Sequence, residues 1–178
     1  MAKKVLVVTG SMRKGNSDAL AEAFAQGARE AGNDVELVRL ASLELGFCRG
    51  CDYCQTHDGV CVLKDDMAAL LDKVQAADAI ALATPVYYYN VSATMKTFID
   101  RTYARVGSIA DKDFYFIATS YDEGDASTDG AFEGLHGMVR CFADCREKGT
   151  IRGLGMGPRG AAKGSAATEE ARRMGANV

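Results

Sequence analysis

The chain has 178 residues, of which 48% are hydrophobic and 25% charged, and its formal net charge is -3. This length suits one domain with a full core, and the scattered Lys and Arg residues form no basic stripe, so we expect no nucleic-acid partner. No apolar run approaches the roughly 20 residues that span a bilayer, and the opening residues lead straight into a strand without a signal-peptide pattern, so we expect no membrane association and a cytoplasmic location.

Apolar runs and helical patterns alternate along the chain. The apolar runs predict five strands, at residues 5–8, 35–40, 79–83, 114–118 and 150–154. The intervening patterns predict helices at residues 18–31, 65–76, 92–103, 130–148 and 166–174. Repeated β-α units with right-handed crossovers favour a doubly wound α/β fold, a parallel sheet in the order 2-1-3-4-5 with helices on both faces. A ligand crevice is then expected at the carboxyl ends of strands 1 and 3.

The sequence TGSMRKGNS, residues 9–17, joins the first predicted strand to the first predicted helix. The first amides of a helix lack intrahelical partners and lie at the positive end of its dipole, so this turn is a candidate phosphate site. Ser11, Asn16 and Ser17 add hydrogen-bond donors, and Arg13 adds a fixed charge. The glycine spacing fits neither a dinucleotide fingerprint nor a Walker loop, which favours a single terminal phosphate. The alternative is an ordinary turn with Asn16 or Ser17 as the helix N-cap.

Three consecutive tyrosines follow the third predicted strand, just before a helix. Pro85 fixes the turn there, the backbone from Val86 to Tyr88 lies where it can approach a heterocycle edge, and Asn90 supplies an amide. Consecutive side chains point in different directions, so we expect at least one tyrosine to flank a flat ring. The others are expected in the core, at the helix start or on a dimer surface.

Four of the six cysteines are closely spaced, with the pattern Cys48-x2-Cys51-x2-Cys54-x6-Cys61. Thiols are reduced in the cytosol, so this pattern indicates a metal, cluster or redox site more than a disulfide framework. Four thiols at this spacing can surround one small inorganic centre, with Arg49 and Lys64 nearby. Tetrahedral zinc and free thiols remain alternatives.

The other polar residues of interest carry less information. Cys141 and Cys145, spaced i and i+4, are expected on one helix face in the core, and Arg101 on the surface in a salt bridge. His57 is expected to be solvent-exposed and His136 to be structural. No triad order or paired-carboxylate pattern supports hydrolysis.

Three segments together resemble the NADPH-dependent FMN reductase and iron-sulfur flavoprotein family. They are GSMRKGNS after the first strand, the cysteine-rich loop that ends in Asp65-Asp66-Met67, and PVYYYNVSATMKTFIDR after the third strand. The resemblance is strong over residues 4–106 and weak beyond them. It implies a flavodoxin-like fold, with residues 1–178 forming a single FMN-binding domain and residues 44–64 a cysteine-rich insertion.

The resemblance also implies cofactor sites. It places the FMN phosphate at Ser11, Arg13, Asn16 and Ser17, and the isoalloxazine near Pro85, Val86, Tyr87, Tyr88 and Asn90. Ser120 and Tyr121 would cover the other side of the ring, although their loop, TSYDEGDAS, departs from the glycine-rich version expected in cluster-bearing members. A [4Fe-4S] cluster on Cys48, Cys51, Cys54 and Cys61 is implied, and we expect it beside the flavin crevice.

The expected function is FMN-dependent oxidoreduction. Electrons would pass from NAD(P)H, or through the cluster, to a free flavin, a quinone or a protein acceptor. One alternative is an electron carrier with no small-molecule substrate of its own, and another is a flavin-free binding module. The exposed aromatic turn and the resemblance both predict a homodimer or homotetramer.

Overall fold

A computed structural model describes residues 2–178 and contains a five-stranded parallel sheet in the order β2-β1-β3-β4-β5. Its strands are β1 (Lys4–Thr9), β2 (Asp34–Arg39), β3 (Ala79–Pro85), β4 (Asp113–Thr119) and β5 (Arg146–Gly153). Every residue of β3 and β4 is buried, as expected for central strands with helices on both faces. The predicted flavodoxin-like, doubly wound sheet is therefore confirmed.

Helices cover both faces of this sheet. They are α1 (Asn16–Glu30), α2 (Met67–Ala76), α3 (Ala93–Arg101), α4 (Ala126–Val139) and α5 (Ala166–Gly175). One core cluster joins α1 and α5 to the sheet and includes Phe24 and Tyr115, whose ring centroids lie 5.1 Å apart. The second cluster joins α2, α3 and α4 to the opposite face and includes Phe98 and Phe116. No helix within residues 2–178 is both long and apolar enough to cross a membrane.

The prediction of one helix over residues 130–148 is wrong in its second half. Helix α4 ends at Val139, and Asp144 adopts a left-handed conformation with φ of 54° before β5 begins. Strand β5 lies at the sheet edge, where Arg146 donates to Asp113 on β4 over 2.9 Å. The first three residues of β5 are exposed. Because a solvated edge tolerates charged residues, this segment lacks the apolar run that marks a buried strand.

The early end of α4 also corrects the placement of two cysteines. Cys141 and Cys145 both follow the helix and do not share a helical face. Cys141 is exposed, whereas Cys145 is half-buried against the core, and burial raises the pKa of its thiol. Neither cysteine is therefore a fully buried core residue.

The two histidines make ring contacts with neighbouring aromatic side chains. His57 is exposed, and its ring stacks on Tyr53 with centroids 3.6 Å apart. His136, on α4, lies beside the ring of Phe116, and its Nε2 is 2.9 Å from Glu147 Oε2 on β5. These contacts are consistent with packing roles.

Candidate functional site

A cleft of about 460 Å³ lies at the carboxyl ends of β1, β3, β4 and β5. Among the residues singled out from the sequence, Ser11, Arg13, Asn16 and Ser17 line it from the first turn. Pro85, Val86, Tyr87 and Tyr121 line it from the turns after β3 and β4. The parallel strands thus bring turns distant in sequence to one edge of the sheet.

The phosphate turn, residues 9–17, leads directly into α1. Its N-cap is Gly15, without a side-chain cap, so the alternative in which Asn16 or Ser17 caps the helix is wrong. Ser11 Oγ donates to the carbonyl of Arg13 over 2.7 Å, which closes the turn, and Ser17 Oγ lies 2.5 Å from Thr119 Oγ1. The first amides of α1 are therefore left for an anion in the cleft.

The side chain of Asn16 is fully engaged within the protein. Its Nδ2 donates to the carbonyls of Met156 and Pro158 over 2.7 and 2.8 Å. Its Oδ1 accepts from the amides of Gly160 and Ala162, both over 3.1 Å. This uses both donors and both lone pairs of the side-chain amide. The side chain therefore positions a neighbouring loop, and the backbone N–H of Asn16 is the group left for a phosphate.

The charged side chains that line the cleft within residues 2–178 are all positive. Arg13, Lys14 and Arg159 line it, and no acidic side chain does so within residues 2–178. All three cations are exposed and free to reorient toward a ligand. The cleft is therefore suited to an anionic ligand.

The tyrosine turn, residues 87–90, is tight and strained. The backbones of Tyr87 and Asn90 exchange two hydrogen bonds of 3.0 Å. Between them, Tyr88 and Tyr89 adopt left-handed φ values of 50° and 59°, each of which costs a non-glycine residue about 1 to 2 kcal/mol. Such strain persists only where surrounding contacts impose it.

The three tyrosines point in different directions, as the sequence predicted. Tyr87 lines the cleft and is 43% exposed, whereas Tyr88 is fully exposed at the tip of the turn. Tyr89 donates its hydroxyl to Asp122 over 3.1 Å, and this bond raises the pKa of Tyr89. A dimer contact near the tyrosine turn remains a prediction.

Three of the predicted flavin-site residues do not line the cleft. They are Tyr88, Asn90 and Ser120. The side-chain oxygen of Asn90 accepts from the amide of Val91 over 2.8 Å. Ser120 is buried, and its hydroxyl accepts from the amide of Asp122 over 3.2 Å. Asn90 and Ser120 therefore stabilise the turns around the cleft.

The buried hydroxyl of Ser92 links the two main walls of the cleft, which are the phosphate turn and the segment after β3. Ser92 Oγ donates to the carbonyl of Gly10 in the phosphate turn over 2.7 Å and accepts from Met95 N over 3.2 Å. The amide of Ser92 donates to Thr84 Oγ1 at the end of β3 over 3.0 Å. A Cβ on Gly10 would lie 2.8 Å from Met95 Cβ, so this close approach requires glycine.

The cysteine loop, residues 44–64, forms a separate feature. Cys48, Cys51, Cys54 and Cys61 border one cavity of about 20 Å³ together with Tyr103, and all four are free. Within residues 2–178, however, no three potential ligands are arranged so that they could hold a metal ion. The thiols thus share a cavity without forming a metal site in this conformation.

The cysteine cavity and the cleft lie at opposite ends of α3. No residue lines both cavities. Ser92 at the start of α3 contacts the phosphate turn, whereas the cysteine loop contacts Tyr103 beyond its end, where Gln55 Nε2 donates to the Tyr103 carbonyl over 2.9 Å. At about 1.5 Å per helical residue, the two ends are roughly 15 Å apart. The expectation that the cysteine cluster lies beside the flavin crevice stays a prediction.

The cysteine loop is anchored by a buried ion pair. Arg101, at the end of α3, is only 2% exposed and makes two hydrogen bonds, of 2.7 and 2.9 Å, to Asp65. It also donates to the carbonyl of Gly46 over 2.6 Å, and its charge lies beside Cys61. The Arg101 hydrogen bonds lower the pKa of Asp65 to about 2, despite the opposing effect of burial. Arg101 is therefore not the surface residue that the sequence suggested.

Comparison with known proteins identifies the family. A model described as NADPH-dependent FMN reductase matches residues 3–140. The chain belongs to the NADPH-dependent FMN reductase family. An iron-sulfur flavoprotein from Archaeoglobus fulgidus is 40% identical over 106 residues, which make up 59% of this chain and 52% of that protein. The chain spans about half the length of the curated relatives it matches.

Solved structures support the fold of this FMN reductase family member. An azoreductase from Bacillus anthracis aligns over all of both chains with a TM-score of 0.75 and 22% identity. An archaeal flavodoxin aligns over 98% of this chain and 94% of its own, with a TM-score of 0.61 and 18% identity. At these identities the likeness establishes the flavodoxin-like fold.

Sequence reasoning missed the loop that follows β5. Met156, Gly157 and Arg159 line the cleft although they lie outside the segment matched by the family model. No phosphate motif marks this loop. The available signal was its place directly after a parallel strand, because such loops meet at the ligand edge of the sheet. The cleft lining also includes three residues that the sequence did not single out, Lys14, Gly15 and Thr119. Each lies within or next to a predicted turn or strand.

We predict that Gly130→Ala destabilises the protein, because a Cβ there would lie 2.2 Å from the carbonyl oxygen of Tyr89 and displace the tyrosine turn. The expected cost is about 1 to 3 kcal/mol in urea unfolding. Gly137→Ala on the same helix is the matched control, since its Cβ meets nothing within 4 Å. Helix propensity predicts that the control gains up to about 1 kcal/mol. Equal effects of the two substitutions would contradict the close approach.

We predict that Asp65→Asn costs about 3 to 5 kcal/mol at pH 7, because it leaves the buried Arg101 charge unpaired. Asp100→Asn, which removes the exposed pair with Lys96, should cost about 0.5 kcal/mol or less. Denaturant unfolding compares the two variants. A loss at Asp65 no larger than that at Asp100 would contradict the anchoring role.

The same ion pair predicts a pH dependence. The pKa of Asp65 is about 2 in the folded chain and 3.8 ordinarily, so the unfolded chain binds the proton more tightly. The stability from this carboxylate is fully present above about pH 4 and is lost as pH falls toward 2. Acid unfolding of Asp65→Asn should lack this component.

Proposed function

We propose that this chain is an FMN-dependent oxidoreductase that takes electrons from NAD(P)H and passes them to a flavin, quinone or protein acceptor. The observation that carries the proposal is the cleft, where the uncapped start of α1 and Arg13 face the same space as Tyr87. A phosphate-binding end next to an aromatic wall suits a flavin mononucleotide. Membership of the FMN reductase family supports the same ligand.

The residues of the cleft fit FMN in size and chemistry. Its volume of about 460 Å³ lies within the usual range for small-molecule sites. Arg13 and the first amides of α1 would hold the phosphate, with Ser11 closing the turn and Ser17 fixing the helix start through Thr119. The absence of acidic side chains from the lining within residues 2–178 avoids repulsion of that phosphate.

The turn after β3 supplies a preformed wall for the ring. The amide of Val86 donates to the carbonyl of Thr119 over 2.8 Å, and that of Tyr87 to Asn90 over 3.0 Å. Because both amides are used within the protein, they hold the shape of the wall and do not serve the ligand. The side chains of Val86 and Tyr87 then provide the apolar and aromatic surface.

Tyr121, in the turn after β4, also lines the cleft. Its ring packs so closely on Gly157 that a Cβ there would lie 2.2 Å from the ring. The ring is nevertheless 80% exposed and remains accessible to a ligand. Tyr87 and Tyr121 would therefore contact the isoalloxazine from the turns after β3 and β4.

Bound FMN supplies hydride and single-electron chemistry to such a site. The chain contributes orientation, hydrogen bonds and exclusion of water, and the cleft presents no histidine or carboxylate for proton transfer within residues 2–178. We therefore assign no acid–base catalyst.

An electron-transfer protein without a small-molecule substrate is the second candidate. Four cysteines around one cavity favour it, and a relative in Archaeoglobus fulgidus is named an iron-sulfur flavoprotein. A [4Fe-4S] cluster would take one thiolate on each of its four irons, a wider arrangement than the single-ion site that the described thiols do not form. We derive no catalytic step through such a cluster.

Two measurements on anaerobically purified protein separate these candidates. We expect NADPH or NADH alone to bleach the bound flavin, followed by reoxidation with a quinone. Bleaching only by a reduced ferredoxin would instead favour the electron carrier. Reconstitution with iron and sulfide, counted as iron per chain with Cys51→Ala as control, tests for the cluster, whose [4Fe-4S] form needs about four irons.

We predict that Arg13→Gln weakens FMN binding by about tenfold or more, because a charge-assisted hydrogen bond contributes roughly 1.5 to 3 kcal/mol. Riboflavin, which lacks the phosphate, should bind the variant and the parent protein equally. Arg49→Gln, in the cysteine loop and outside the cleft, is the matched control. Fluorescence titration measures the affinities. Equal affinity of the unaltered protein for FMN and riboflavin would exclude the phosphate site.

A further inference from the structure

The loop between β5 and α5, residues 154–165 and here named the clamp loop, is held against the start of α1. The four hydrogen bonds of the Asn16 side chain bind Met156, Pro158, Gly160 and Ala162 in succession. Asn16 is 9% exposed and is the first residue of α1. A single side chain in the phosphate turn thus fixes the path of a loop whose bonded residues lie 140 to 146 positions away in sequence.

Arg159 lies between two of these fixed points. The carbonyl of Pro158 accepts from Asn16 over 2.8 Å, and the amide of Gly160 donates to Asn16 over 3.1 Å. The backbone of Arg159 is therefore held close to the first turn of α1, where the helix dipole favours an anion. Its side chain lines the same cleft as Arg13.

The conformation of the clamp loop depends on glycines around this cation. Gly155 and Gly160 have φ of 65° and 86°, a region that other residues rarely adopt. Gly157 packs directly on the ring of Tyr121. Lys163, the other cation of the loop, is exposed and does not line the cleft. The loop therefore delivers one charged group, Arg159, to the cleft.

We propose that Arg159 binds the phosphate of the flavin and that Asn16 is the residue that positions it. The proposal rests on the proposed function, since it takes FMN as the ligand. A phosphate monoester carries about -1.5 to -2 charges at pH 7. Two guanidinium groups from separate loops, Arg13 and Arg159, match that charge and offer forked donors to its oxygens.

This arrangement makes the C-terminal part of the chain a determinant of flavin specificity. The clamp loop lies beyond residue 140, where the family match ends. Within this loop, the contribution of the Arg159 side chain acts on the phosphate alone. The expected signature is therefore a change in the preference for FMN over riboflavin, with no change in the affinity for riboflavin.

The first test compares FMN and riboflavin binding to flavin-free protein by fluorescence titration. Arg159→Gln is expected to weaken the affinity for FMN by about tenfold, the size of one charge-assisted contact. The affinity for riboflavin should stay within about twofold of its original value. Arg159→Lys should retain part of the preference because it keeps the charge. Lys163→Gln, in the same loop but outside the cleft, should change neither affinity.

The second test addresses Asn16. If Asn16→Ala acts through Arg159, it lowers the FMN preference, and adding Arg159→Gln then has less effect than it has alone. A purely structural loss would weaken both flavins together and would overturn the positioning role. Thermal unfolding without flavin confirms that each variant is folded.

The outcomes separate this inference from the proposed function. If Arg13→Gln reduces the FMN preference and Arg159→Gln does not, the role of Arg159 is overturned while the FMN site stands. If the unaltered protein binds FMN and riboflavin equally, the phosphate site itself is absent and both proposals fail.

Discussion

The buried hydroxyl of Ser92 determines the relation between the two main walls of the cleft. It caps α3 through Met95 N and also donates to the carbonyl of Gly10, so one oxygen links the tyrosine-bearing wall to the phosphate turn. Ser92 is 1% exposed, and an unsatisfied group in such a place costs about 1 to 3 kcal/mol. The width of the cleft is therefore specified by a bond that water does not weaken.

A second constraint is the separation of charge and aromatic surface within the cleft. Arg13, Lys14 and Arg159 lie with the start of α1, whereas Tyr87 and Tyr121 come from the turns after β3 and β4. A ligand with an anionic tail and a flat ring can satisfy both regions in only one orientation. The strain at Tyr88 and Tyr89 is consistent with a turn whose conformation is imposed by the packing that shapes this wall.

The features that the sequence predicted are those encoded over short distances. Residues 9–17 and the apolar runs that became β1, β3 and β4 carry their own signals in composition and spacing. The errors arise where a distant partner decides the outcome. Asn16 is a residue type that often caps helices, yet its side chain bonds to residues of the distant segment from Met156 to Ala162. Arg101 is buried because it forms an ion pair with Asp65. The charged start of β5 favours a helix in the sequence, but in the structure its pairing with β4 makes it a strand.

Helix α3 connects two sites that are otherwise independent. Its first turn is tied to the phosphate turn through Ser92, and its last residue, Arg101, holds the cysteine loop through Asp65. No residue lines both cavities, and the ends of the helix are roughly 15 Å apart, so α3 is the element that links them. The stability of the cysteine loop is thus set by a buried ion pair, whereas the properties of the cleft depend on hydrogen bonds at the opposite end. The same helix therefore holds the phosphate turn at its start and the cysteine loop at its end.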